Sequence, residues 1–220
     1  MIRSRSNAGF AICNPEGRKK RRISRGHLFV LAALILFPAL AHAADPSWRM
    51  LIEPKFMKHE VSYAIPGSER AVLAPALVKD GEPVCLSEKE FKTLDVDRKA
   101  FLAAAEENAA VELKKLTPEF KRNRKKVIQY ATIISENPLT ASVVLAPGFL
   151  KLFADTLGPK VIVAIPNRYT IYVFPALASH YQDYAPMISE AYRATSYPVS
   201  MEAYELSEQG LKAVGLYPEP

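Results

Sequence analysis

The 220-residue chain carries 29 Lys and Arg against 23 Asp and Glu, a formal charge of +6. That excess sits at one end: residues 1 to 43 hold eight of the bases and a single acid, Glu16, so the remainder carries 21 bases and 22 acids, a charge of −1. A near-neutral mature chain excludes a basic nucleic-acid-binding domain.

Residues 28 to 40, LFVLAALILFPAL, form an apolar run behind the basic stretch Arg18 to Arg25 and ahead of Ala41-His42-Ala43. This is the three-part pattern of a secretory signal, with cleavage expected between Ala43 and Ala44 and a periplasmic or secreted destination. Thirteen apolar residues fall short of the roughly 20 needed to cross a bilayer, which argues against an anchor. Arg21-Arg22 invites a twin-arginine reading, but Ile23-Ser24-Arg25 lacks the apolar residues usual after such a pair, and Cys13 does not close an apolar segment as a lipoprotein cysteine would. The expected mature part, residues 44 to 220, is long enough for one domain without metals or disulfides. It retains one cysteine, Cys85, and two histidines, His59 and His180, so it can form no internal disulfide and offers no zinc site. Cys85, in Pro83-Val84-Cys85-Leu86, reads as a small core hydrophobe.

Taken in order, Val61 to Ile65 and Ala71 to Val78 read as strands, the second closed by Asp80-Gly81. Ser87 caps a short helix through Leu94, and Asp97 caps a longer one to about Leu116 with Leu102, Ala105, Ala109, Leu113 and Leu116 on its inner face. Glu106 and Glu107 lie on its outer side, as solvated surface. The basic run Lys121-Arg122-Asn123-Arg124-Lys125-Lys126 reads as the junction to a strand from Val127 to Ile134. A helix from about Gly148 to Leu157 follows, ended by Gly158.

VIVAI (161 to 165) and YTIYVF (169 to 174) then form an antiparallel hairpin around Ile165-Pro166-Asn167-Arg168. VIVAI is apolar at every position, which predicts a central strand covered on both faces. Leu177 to Tyr192 reads as a helix that kinks or restarts at Pro186, Val199 to Leu206 as a last strand, and Ser207 to Val214 as a terminal helix. The predicted class is α+β, a single domain with a mixed sheet around the hairpin.

No phosphate loop, metal-ligand spacing, His-Glu-x-x-His or Gly-x-Ser-x-Gly elbow occurs, and no cofactor is implied. The one nucleophile and base worth pairing for a hydrolase are Ser142 and His180; a turn serine and a helical histidine are the simpler reading.

The ordered pieces ALVKDGEPVCLSEKEFKTLDVDRKAFLAAAEENAA (76 to 110), TASVVLAPGFL (140 to 150) and VIVAIPNRYTIYVF (161 to 174) resemble the YtpQ-like proteins, a domain family of unknown function, over roughly residues 70 to 206. The resemblance implies a fold and an order of elements, with no reaction or substrate. An acid commonly follows the hairpin turn in that family, whereas Tyr169 follows Arg168 here.

Three functions are therefore expected in order: a non-catalytic binding or scaffolding domain of the cell envelope, an envelope hydrolase using Ser142 and His180, and a partner subunit of a multiprotein assembly. Candidate binding residues are Lys121, Arg122, Arg124, Lys125 and Lys126, for weak contact with an anionic envelope surface, and Asn167 and Arg168 in the hairpin turn.

Overall fold

The strand Val161–Asn167 (β7) lies between Thr170–Pro175 (β8) and Glu202–Ser207 (β9), and every one of its seven residues is buried. Its side chains divide by parity. Val161, Val163 and Ile165 join one hydrophobic cluster and Ile162 and Ala164 a second on the opposite face. A strand with two buried faces needs no polar alternation, which is why VIVAI has none. The computed structural model describes residues 45–177 and 181–218. The signal segment with its cleavage site Ala43–Ala44, and His180, lie outside the described residues. Among the described residues, no helix is long and apolar enough to cross a membrane.

The class is α+β. All strand pairs are antiparallel, and they form two sheets where a single mixed sheet was expected. The larger sheet adds Ile128–Ile134 (β6) and Glu119–Arg122 (β5) beside β8, and Gly210–Leu216 (β10) beside β9, in the order β10-β9-β7-β8-β6-β5. In the smaller sheet, Ala71–Lys79 (β3) is central. Trp48–Pro54 (β1) pairs along one edge, and Tyr63–Ala64 (β2) and Glu82–Cys85 (β4) share the other.

Two helices begin where their caps predict. Glu88–Thr93 (α1) has a reciprocal capping box between Ser87 and Glu90, and at Arg98–Leu113 (α2) the Asp97 carboxylate accepts the Ala100 N–H at 2.7 Å. A 3-10 turn at Ala141–Leu145 leads into Lys151–Leu157 (α3), and Pro186 sits in the first turn of Ala185–Arg193 (α4), starting a helix instead of kinking one. Helix α4 covers one face of the larger sheet through Ala185 and Ile188. The other face packs on α2, α3, the 3-10 turn and Ile52 and Ala71 of the smaller sheet.

Four local expectations are corrected. Strand β1 is missing from the sequence reading because it carries Arg49 and Glu53 at buried positions, which breaks the apolar pattern a strand normally shows. The expected strand from Val61 shrinks to Tyr63–Ala64, and the expected helix end at Leu116 falls at Leu113. The segment from Ser207 forms β10, hairpinned to β9 through Gly210, whose φ of 99° favours glycine. Its bulge between Ala213 and Gly215 accommodates the loop of the smaller sheet, where Ala213 N–H donates to Pro66 O at 2.8 Å. Gly67 is required at that approach, since a Cβ there would lie 2.6 Å from Ala213 O.

Two buried carboxylates join the sheets in opposite directions. Glu53 of β1 accepts from Arg168 in the β7–β8 turn, at 2.9 Å from Nε and 2.8 Å from Nη2. Glu202 of β9 accepts from the Ser68 hydroxyl at 2.6 Å, the Glu69 N–H at 2.7 Å and the Arg70 N–H at 3.2 Å, all in the loop before β3, and from Tyr204 at 2.9 Å. Burial pushes the Glu202 carboxyl up, but these hydrogen bonds outweigh it and leave it below its ordinary 4.5.

A depressed carboxyl stabilises the fold above its unfolded value, and that contribution is lost as pH falls through the folded value. Glu202→Gln, which turns an acceptor into a donor facing N–H and O–H groups, is expected to cost about 2–3 kcal/mol at pH 7. In urea titrations the gap between wild type and variant should narrow below pH 4.5. A constant gap from pH 7 to pH 3 would show that the charge of Glu202 is not what matters.

Candidate functional site

A cleft of about 520 Å³ opens between α2, the segment from the 3-10 turn into α3, and the β9–β10 turn. Leu102 and Glu106, one turn apart on α2, form one wall. Leu145, Phe149, Leu150 and Ala154 form the second, and Leu206 and Leu211 the third. Pro147-Gly148 keeps the second wall open: Gly148 has a φ of 95°, so the chain turns there and does not run the 3-10 turn straight into α3.

Polar side chains are few: Glu106, Lys151, Ser207 and Glu208. Lys151 and Glu208 are exposed, and the Ser207 hydroxyl donates to Gln209 Oε1 at 2.8 Å. Glu106, expected on the solvated face of α2, is half-buried in the cleft wall, where burial pushes its carboxyl up. Among the described residues the lining contains no histidine or cysteine, and its one hydroxyl, that of Ser207, is the group that donates to Gln209. It is shaped to exclude water from an apolar guest.

The hairpin-turn residues are part of the scaffold. Asn167 is buried, donating from Nδ2 to Ala191 O at 2.7 Å and accepting the Tyr169 N–H at 2.9 Å, which ties the turn to α4. Arg168 serves Glu53 and lies 5.1 Å from the centre of the Tyr197 ring. His59 Nε2 approaches the other oxygen of Glu53 at 3.6 Å, beyond a good hydrogen bond.

Cys85 stands near this cluster, half-buried where full burial was expected. Burial, reinforced by the Glu53 charge and opposed by Arg168, pushes its thiol up to about 11. It stays protonated at neutral pH and is a poor nucleophile. The Ser142 hydroxyl is 2% exposed and donates to Leu139 O at 2.6 Å inside the 3-10 turn, committed to backbone; its proposed partner His180 is not among the described residues.

The basic run forms the β5–β6 hairpin, where a simple helix-to-strand junction was expected. Asn123 Oδ1 accepts the N–H groups of Lys125 at 2.9 Å and Val127 at 3.0 Å, and Lys126 takes a left-handed φ of 63° to close the turn. Lys121 pairs with Glu119, whereas Arg122, Arg124, Lys125 and Lys126 have no acidic partner among the described residues. Since β5 is the last strand of its sheet, part of this charge protects an open edge from pairing with another chain.

Comparison with protein-family models, with curated proteins and with solved structures returned no match for the chain.

A structural role for Arg168 is separable from a ligand-binding one. Arg168→Ala leaves Glu53, whose side chain is 3% exposed, buried without its cation, and is expected to cost about 3–5 kcal/mol. Adding Glu53→Gln should recover part of that loss. Thermal and urea unfolding of the two single variants and the double variant measure the coupling; additive losses would show that Arg168 and Glu53 do not act as a pair.

Proposed function

We propose that the chain is an exported, non-catalytic binding domain of the cell envelope, and that its working surface is the apolar cleft between α2, α3 and the β9–β10 turn. The observation that carries this reading is the cleft itself: about 520 Å³, within the roughly 300–1000 Å³ of small-molecule sites, and lined mainly by aliphatic and aromatic side chains. Export rests on the signal pattern of residues 1 to 43. The resemblance to YtpQ-like proteins is compatible with this reading and supplies no reaction.

Ala154 faces the cleft from α3 and is half-buried, so Ala154→Trp fills the space without touching the sheet core. The purified wild type should enhance the fluorescence of a neutral naphthalene dye at low micromolar protein, and Ala154→Trp should lower that enhancement at least fivefold with its melting temperature nearly unchanged. Equal enhancement by both proteins would place dye binding elsewhere and remove the cleft from consideration.

A second reading concerns the β5–β6 hairpin and is favoured by its four cations without acidic partners. They hold the protein reversibly to an anionic envelope surface, each contributing about 1 kcal/mol near a membrane. Lys121, Arg122, Arg124, Lys125 and Lys126 all changed to Gln should abolish sedimentation with anionic vesicles at low salt. High salt should abolish it for the wild type, because screening acts within about 8 Å at 0.15 M. Equal sedimentation of the two proteins at low salt would leave the run as edge protection alone.

A further inference from the structure

Resting on the cleft as the working surface, we infer that its ligand is a small amphiphile with an apolar tail and a positively charged, hydrogen-bond-donating head, and that Glu106 of α2 recognises the head. Five carboxylates among the described residues are buried or half-buried: Glu53, Glu106, Glu112, Glu202 and Glu205. Four have partners within the domain. Glu53 has Arg168, Glu112 has Arg49, Lys115 and Asn137, Glu202 has Ser68, Tyr204 and two backbone N–H groups, and Glu205 has Lys160 at 3.2 Å. Glu106 alone has no hydrogen bond or ion pair with a described residue.

Its position gives that exception a direction. Glu106 shares a wall of the cleft with Leu102, so a guest lying on the leucine reaches the carboxylate at the end of its tail. An uncharged guest would take the remaining water from an unpaired carboxylate, which is costly. An anionic guest would add repulsion where screening is reduced. A cationic donor answers both penalties at once. The other lining charges, Lys151 and Glu208, are exposed, so water screens them and they discriminate less.

Three ten-carbon amphiphiles that differ only in the head decide the matter: decylamine, decanol and decanoate, each titrated calorimetrically below its aggregation concentration at pH 7. Wild type should bind decylamine at least about tenfold more tightly than decanol, with decanoate weakest. Glu106→Gln should bring decylamine down to the level of decanol without weakening decanol, and Glu107→Gln, at an exposed neighbour outside the lining, should leave the order unchanged. Unaltered melting temperatures would confirm that both variants are folded. If decanol matches decylamine on wild type, if decanoate binds tightest, or if Glu106→Gln keeps the amine preference, head recognition by Glu106 is overturned while the cleft stands as an apolar site. If none of the three probes binds, the cleft reading fails and this inference with it.

Discussion

The relative placement of the two sheets rests on a reciprocal exchange of buried carboxylates. Glu53 leaves the smaller sheet to meet the turn of the larger one, and Glu202 leaves the larger sheet to meet a loop of the smaller one. A lone carboxylate at either place would cost several kcal/mol in lost hydration. Each instead accepts charge-assisted hydrogen bonds that exist only when the other sheet is in register. Hydrophobic contact between the faces supplies most of the drive to pack but is tolerant of sliding. The carboxylates add direction, because a shift of an ångström leaves a buried charge unsatisfied.

That constraint reaches the cleft. Helix α2 is tied to the smaller sheet by Arg49 and Glu112, and the β9–β10 turn belongs to the larger sheet. The two walls therefore come from parts whose separation Glu53 and Glu202 set, and the cavity is preformed instead of assembling around a guest. A preformed site spends less of its binding free energy on ordering the protein.

How much of this was legible in the sequence depended on whether a feature is local. VIVAI, the capping residues Ser87 and Asp97 and the hairpin after Ile165 follow from short-range rules, and the structure has all of them. Strand β1 was hidden by the very residues that matter most, since Arg49 and Glu53 look like surface until their partners 63 and 115 positions away are known. Ser207 to Val214 reads locally as a helix, and only pairing with β9 decides for strand β10. The charge of Glu106 suggests the wet face of α2, although it stands four residues after Leu102 and three before Ala109, on the stripe that helical periodicity turns inward. The third wall of the cleft comes from residues about 100 positions later, which no local pattern reports.

Several of the residues that first suggest chemistry in this chain are ones the fold has already used. Ser142 is bonded to its own turn, Asn167 and Arg168 hold the hairpin to its neighbours, and Cys85 sits where burial and Glu53 keep it protonated. A catalytic group must keep its reactive atom free and its protonation state poised, and these four residues do not combine the two. A binding site has a different requirement: a concavity that folding leaves open and a polar group that folding leaves unanswered. The cleft meets the first condition and Glu106 the second. The distinction between partnered and unpartnered carboxylates is thus also a distinction between stability and recognition, because a charge already neutralised inside the protein gains little from a ligand, whereas one held half-buried without a partner gains most.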